Sequence, residues 1–470
     1  MILTTRAVLY HKTPAIWSRL TSFDEDAPAS VEELKNSLGE LALKEVPIDI
    51  MNTDIYVGMV RWLAEELNVD EIHIVQGYES SEAKNWTVSS EMGYHEVSEN
   101  IYYWSVDNAA HLIPFMDNKF MMTRGNYPRL HINLASIKPK HGVWLHYAAT
   151  SLHLPHLQNM LDWWGEHHNK SMNYHNRFYQ FINLLINNNP KLFSKAIHEK
   201  FDELQFSPGD KTQTELIKEL KNWDDSRFKE LKKSPYDIIL VDDSSTREIM
   251  NKVHPRALIY TFVKPCLEHE TPAQKEEFDV VFSGTSLQKT KNHSLFTDLL
   301  SGFDKILNRK IKVAILGNLG GDIDYQNALD IDYEMIDIND MGQLSREEAL
   351  SVFAKSKTLL LTSGRDANPR VISEAATCGA RVIALDILSD GFEVLSLNPA
   401  IGSLIEVDPF TKSYVENGNF SCMVTPDLVK DVLNKIEDSA SSIFTREVAK
   451  RLFDLPTNLE ESLAAIIALS

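Results

Sequence analysis

The chain has 470 residues, 43% of them hydrophobic and 24% charged, enough to bury large cores and to fill two or three domains. With 47 basic and 67 acidic residues the formal net charge is −20. Such a surface repels phosphate backbones and excludes a general nucleic-acid binder, while leaving room for one small basic pocket. Its three cysteines, Cys266, Cys378 and Cys422, are far apart and form no CxxC, which excludes a disulfide framework and fits a reducing cytosol.

The opening MILTTRAVLYHKTPAIW lacks the basic start, apolar core and cleavage site of a signal peptide. No run of about 18 apolar residues occurs, so no transmembrane segment is expected and the location reads as cytoplasmic, with peripheral membrane contact left open. The sequons at Asn85 and Asn419 are then chance matches.

Apolar runs alternate with amphipathic stretches from end to end, the pattern of an α/β protein with parallel sheets. In the first half, strands are expected at residues 6–10, 46–51, 71–75, 101–105, 120–123, 142–146, 236–241 and 257–262. Val31, Leu34, Leu38 and Leu41 recur at helical spacing behind Ser30, with Glu33 as its capping-box partner. A second helix is expected over 55–67, and Ser245 with Glu248 opens another. Residues 151–233 read as helical and polar, rich in His, Asn and Trp, broken at Pro190 and at Ser207-Pro208-Gly209-Asp210. That is too long for a connection between strands, so it reads as an inserted element shaping acceptor choice or subunit contacts. Trp163 and Trp164 there could stack on a sugar, although paired tryptophans are more often core.

A polar stretch with two prolines, 263–277, reads as a linker between domains. A second alternation follows. Strands are expected at 278–283, 311–316, 333–338, 358–362 and 381–385, with helices from His293, over 345–355 and over 370–378. The tail carries helices at 426–436 and 446–453, and a last one opening at Thr457 with Glu460 as capping partner.

Most informative is SGRDANPRVISEAATCGARVIAL, residues 363–385. A strand ends at Thr362, a loop carries Asp366 and Asn368, and a helix begins with Pro369 in its first turn, where a missing N–H costs nothing. Arg370 follows, Glu374 stands in the second turn, and Gly379 closes the helix before a buried strand. Free N–H groups and the positive end of the helix dipole favour an anion such as a diphosphate above the strand ends, where open α/β sheets bind ligands. The plainer reading is a helix with an exposed Glu and a loop Asp.

These residues resemble the donor-site signature of retaining glycosyltransferase family 4, the glycogen-synthase-like GT-B enzymes also grouped as group 1 glycosyl transferases. That signature runs from an acid through Gly-Phe-Pro to a Glu eight positions after the acid, then a Cys-Gly-small-x-Val-Ile strand. The match here is Asp366, Pro369, Glu374, Cys378, Gly379, Val382 and Ile383, with Asp for the usual first Glu and Ala-Asn for Gly-Phe. The resemblance implies that Glu374 grips the donor ribose and Asp366 the hydroxyls of the transferred sugar.

A second segment, DVVFSGTSLQKTKNHSLFTDLL over 279–300, has a strand ending at Gly284 and a helix opened by Lys291-Asn292-His293. Glycine lets the backbone approach a phosphate, and Lys291 offers a charge where the sugar–phosphate bond breaks. It is similar to the family's strand–Gly-Arg–loop–Lys element, but Thr285 stands in place of the arginine and the loop is one residue longer. Arg370 or Arg365 is left to replace that cation. Residues 341–363, between the two segments, match at the level of fold only.

In the first half, HGVWLHYAATSLHLPH delivers His146 to a strand end, where the family often carries a histidine facing the donor sugar. A lone His at a strand end is as often structural. Arg124 with Gly125, and Asp242 with Asp243, end two further strands and could line a cleft. His153, His156, His167, His168 and His175 invite a metal reading, but no HExxH occurs and no metal is expected.

The resemblance implies a GT-B fold: two Rossmann-like domains with parallel sheets facing across a cleft. Residues 1–263 would be the acceptor domain carrying the 151–233 insertion, 264–454 the donor domain, and 457–470 a helix crossing back. It further implies transfer of a sugar from a nucleotide diphosphate sugar, with retention and without a divalent metal or other cofactor. The acceptor, whether glycan, lipid or protein, is not readable, and no nucleic-acid partner is expected. Rival readings are a GT-A enzyme using Asp322-Ile-Asp324 or Asp330-Ile-Asp332, a nucleotide-sugar epimerase, and a non-catalytic sugar-nucleotide binder or scaffold with a degenerate site. The first acidic triplets arise by chance in an acidic chain and have no flanking metal pattern.

Overall fold

The computed structural model describes residues 3–6, 30–46, 55–69, 71–77, 91–106, 120–124, 143–147, 236–242, 254–266, 274–286, 291–318, 334–364, 366–367, 369–387, 389–408, 411–414, 420–438 and 442–469, with single positions in 244–251. They divide into two compact units, one of residues 3–147, 236–262 and 455–469, the other of residues 263–454.

The first unit is built on eight strands: β1 (Leu3–Arg6), β2 (Ile72–Gly77), β3 (Gly93–Ser98), β4 (Ile101–Val106), β5 (Phe120–Arg124), β6 (Val143–Tyr147), β7 (Ile238–Val241) and β8 (Leu258–Thr261). Their order is β3-β4-β2-β1-β5-β6-β7-β8. Every pair is parallel except β3 with β4. The chain steps outward from β1 to β2 and β4, then returns to the other side of β1 at β5, the doubly wound pattern. Ser30 caps helix α1 (Val31–Leu38) by accepting the Glu33 N–H at 3.1 Å. Helix α2 (Ile55–Glu66) buries Val57, Met59, Val60 and Leu63. β6 and β7 are buried along their whole length, as a central parallel sheet covered on both faces requires.

The second unit holds β9 (Phe278–Ser283), α3 (His293–Ile306), β10 (Ile311–Leu316), β11 (Ile336–Asp340), α4 (Arg346–Ala354), β12 (Ser356–Leu361), β13 (Asp366–Ala367), α5 (Val371–Cys378), β14 (Arg381–Asp386), β15 (Ser389–Asp390), α6 (Glu393–Leu397), β16 (Gly402–Glu406), β17 (Lys412–Tyr414), β18 (Phe420–Cys422), α7 (Pro426–Glu437) and α8 (Ser442–Leu452). Six strands form a wholly parallel sheet in the order β11-β10-β9-β12-β14-β16. Two cores sandwich it. Phe282, Ile383 and Leu385 face α3 and α7, joining Phe296, Leu299, Val429 and Val432. Val281, Val382 and Ala384 face the other way, joining Phe353, Ile372, Ala375 and Ala449 of α4, α5 and α8. This period-two division of apolar residues to both faces is what a doubly wound sheet demands.

The last helix, α9 (Leu455–Leu469), belongs to the first unit, packing on α2, β7 and β8. Among the described residues no helix is long and apolar enough to cross a membrane.

Several boundaries differ from the sequence reading. The first strand lies at 3–6, and the described part of the expected strand at 46–51 follows a short 3-10 turn, Leu43–Glu45. β3 was not expected, because GYHEVS lacks apolar alternation; it survives as an antiparallel edge strand. β11 begins three residues later than expected. The insertion at 151–233, the five histidines within it, both acidic triplets at 322–332 and most of the helix after Ser245 lie outside the described residues.

Candidate functional site

The strand order of the second unit creates one topological switch point. From β9 the chain winds outward through β10 and β11, then crosses back to place β12 on the other side of β9. The loops after β9 and β12 therefore leave the C-terminal edge of the sheet in opposite directions, opening the crevice where such sheets bind ligands.

The loop after β9 supplies Gly284, Thr285 and Lys291. A Cβ on Gly284 would lie 2.7 Å from the Lys291 Cβ and 2.9 Å from its Cγ. Glycine here is a steric requirement: it lets the lysine stem lie flat on the strand end. Gly317, at the end of β10, has φ +92°, and a Cβ there would meet the Gly284 carbonyl oxygen at 2.5 Å. Next along the chain, buried His293 contacts the Gly284 carbonyl through Nε2 at 3.0 Å. Burial lowers its pKa below the ordinary 6.5, against opposing contacts with Gly284, Thr285 and Asp340. A neutral ring donating Nε2–H to that carbonyl fits both facts. His293 also meets Phe282 edge-on, pinning the start of α3 to β9.

The loop after β12 supplies Ser363, Asp366 and the entry to α5. Thr362 Oγ1 donates to the Lys291 carbonyl at 3.2 Å and to the Asn292 carbonyl at 3.3 Å, tying the two loops together. Asn292 takes the left-handed conformation, φ 60°, which turns the chain sharply into α3. Lys291 Nζ then donates to Asp366 Oδ2 at 2.5 Å, and Ser363 Oγ reaches the same oxygen at 3.4 Å.

Helix α5 opens later than the sequence suggests, with Arg370 as its N-cap residue, and this brings Glu374 into the first turn. Gly379 ends it with φ 100°. Glu374 Oε1 accepts from Arg370 Nε at 2.6 Å and from Arg346 Nη2 at 2.8 Å. Arg346 heads α4, directly behind Ser345, which forms a complete capping box with Glu348. α4 lies against α5, so the carboxylate is held from two helices. Arg346 is a site residue that sequence reasoning missed. An arginine behind an N-cap serine carries no spacing signal, and its role depends on the packing of α4 on α5.

The structure thus collects Gly284, Lys291 and Asp366 at the switch point, and Arg370 and Glu374 at the adjoining helix entry. Thr285 lies at the end of β9. Asn368 and Arg365 lie outside the described residues. Chemically this is a set of three cationic side chains, two carboxylates and a helix N-terminus: cations suited to phosphate oxygens, and acids suited to hydroxyl donors.

His146 lies in the first unit, near the end of β6, opposite Thr123 and Ile239. It is 2% exposed, and its ring stacks on Tyr236 with centroids 4.1 Å apart and planes 8° from parallel. Burial raises the Tyr236 pKa well above that of an ordinary phenol. Asp242, just past β7, is also buried and accepts a hydrogen bond from the Tyr147 hydroxyl.

No family model matches the chain, and no curated protein matches its sequence. Among solved structures, the chain is similar to the apo form of the lipopolysaccharide outer core galactosyltransferase WaaB, at 12% identity over 100% of this chain and 99% of that one, with a TM-score of 0.50. A sucrose-phosphate synthase from Thermosynechococcus elongatus follows at 12% identity over 88% and 94%, TM-score 0.46. TarM gives 13% identity over 75% of this chain, TM-score 0.44, and the chain spans 55% of TarM's length. At such identities the likeness is one of fold, and the fold of this chain, two units each built on a parallel doubly wound sheet, is GT-B.

Proposed function

We propose that the chain is a glycosyltransferase that moves a sugar from a nucleotide diphosphate sugar to an acceptor, and that the donor binds at the switch point of the second unit. The observation that carries this reading is the meeting of Lys291 and Asp366 there, from loops far apart in sequence, beside Arg370 and Glu374 at the start of α5. Lys291, with the N–H groups opening α5, would stabilise the charge that grows on the leaving diphosphate. Arg370, at the entry to α5, would supply the second cation that Thr285 does not. Asp366 would take hydroxyls of the transferred sugar, and Glu374, fixed on a helix, the ribose. Retention of anomeric configuration and membership of family 4 rest on the motif resemblance. So does the role of His146 toward the donor sugar; its stacking on Tyr236 would fix the plane of the ring. The nucleotide sugar is the co-substrate, and the cationic side chains do the work that a divalent ion does in other transferases.

The test is a donor-hydrolysis and transfer assay with a panel of nucleotide sugars, with and without candidate acceptors, repeated in excess EDTA. Turnover that survives the chelator supports the reading, and complete loss restored by Mn²⁺ refutes the metal-free mechanism. Binding of a nucleotide sugar without any turnover would favour the alternative, a non-catalytic sugar-nucleotide binder, which the threonine at position 285 makes the second reading.

A further inference from the structure

We propose that Asp366 is a specificity-determining residue that sets the site against a bare nucleoside diphosphate and in favour of the intact sugar nucleotide. This rests on the donor-site reading above. Lys291 Nζ and Asp366 Oδ2 are 2.5 Å apart, with side chains only 20% and 18% exposed. A diphosphate drawn to Lys291 is therefore drawn to within a few ångströms of a carboxylate held on the same ammonium. The geometry cannot favour phosphate without bringing like charges together, in a place only partly screened by water.

The two ligands differ in how they meet that carboxylate. A free nucleoside diphosphate carries one more negative charge than its sugar ester, on the terminal phosphate that Lys291 would hold. It has nothing to offer Asp366. The intact donor has lost that charge and carries sugar hydroxyls, which give Asp366 hydrogen-bond donors to replace the ammonium. Ser363 Oγ, 3.4 Å from Oδ2, and the Thr362 bonds to the Lys291 and Asn292 carbonyls keep both loops in register, so the conflict is not relieved by the loops drifting apart. The consequence is directional. The carboxylate is satisfied while the sugar is attached and opposes the diphosphate once the sugar has left, which promotes release of the spent nucleotide.

Calorimetry decides it, with UDP, GDP and ADP as probes, each beside its glucose conjugate, on the wild type, Asp366→Asn and Lys291→Ala. Asp366→Asn should bind the bare diphosphate about three- to tenfold more tightly than the wild type, and bind the glucose conjugate no better. Asp366→Ser, neutral and smaller, should do the same and serves if the amide variant folds poorly. The wild-type preference for the conjugate should shrink at high salt, and that of Asp366→Asn should not. Lys291→Ala should weaken both ligands. Unchanged or weaker diphosphate binding by both neutral variants overturns the proposal and leaves the donor site standing. Failure of the wild type to bind any of the six probes overturns the donor-site reading and the proposal with it.

Discussion

Replacing Gly284 with alanine tests whether the Lys291 stem is seated on the strand end. The new Cβ would stand 2.7 Å from the Lys291 Cβ, 2.9 Å from Cγ and 3.4 Å from Cδ. Carbon atoms at rest sit about 3.5–4.0 Å apart, so residue 291 must retreat by roughly 1 Å. A rotamer change cannot achieve this, because a Cβ moves only with its backbone. The Lys291 carbonyl would pull away from Thr362 Oγ1, and Nζ from the carboxylate it now meets at 2.5 Å. Overpacking of this kind costs about 1–3 kcal/mol, and each kcal/mol lowers Tm by about 2–4 °C in a domain of this size. Because the lysine is moved as well as unpaired, nucleoside diphosphate affinity should fall about tenfold, the opposite of Asp366→Asn, which frees Lys291 where it stands. Gly317→Ala is the severe control: its Cβ would strike the Gly284 backbone oxygen at 2.5 Å from a positive φ, and no side chain can yield. Thermal unfolding and calorimetry read both quantities. A Gly284→Ala protein within about 1 °C of wild type and with unchanged affinity would refute the packing argument.

Glu374→Gln should weaken nucleoside diphosphate binding by roughly 1–3 kcal/mol, measured calorimetrically, and leave two guanidinium groups without their shared carboxylate; equal affinity would remove Glu374 from the site. Stability should fall on acidification below about pH 6.5, because burial lowers the pKa of both His73 and His293 in the folded chain, so the unfolded chain binds more protons in that window. His293→Gln should flatten part of this dependence, and melting curves from pH 7.5 to 5.5 with identical slopes in both proteins would sink the assignment.

The sheet of the second unit was legible because apolar runs such as DVVF, KVAIL, TLLL and RVIAL lie between turn residues, and each became a buried strand. The candidate site was legible in its letters. Asp366, Glu374 and Lys291 were named from their likeness to the family's motifs, but nothing in that likeness says that Lys291 and Asp366 form an ion pair, which needs β12 to cross back beside β9. Arg346 escaped for the same reason: its partner Glu374 lies beyond the rest of α4, β12 and the loop that follows, and only the packing of α4 on α5 joins them. β3 escaped because its apolar partners lie across the strand pair, with Tyr94 against Trp104, and not along its own sequence. His146 could be placed near a strand end from sequence, but not in its surroundings: β6 is buried along its length and the ring is shut in against Tyr236.

The crossing at the switch point has a kinetic meaning. Lys291 and Asp366 are 75 residues apart, and β9 must leave one edge open while β10 and β11 are made and laid down on its other side. Closing that loop costs more entropy than forming the local helices, so the two loops should meet only after those helices have formed. A ligand that needs both loops cannot assist the early steps. On the proposed function, the nucleotide should slow unfolding while leaving the refolding rate almost untouched, a guardian of the finished unit and not a template for building it.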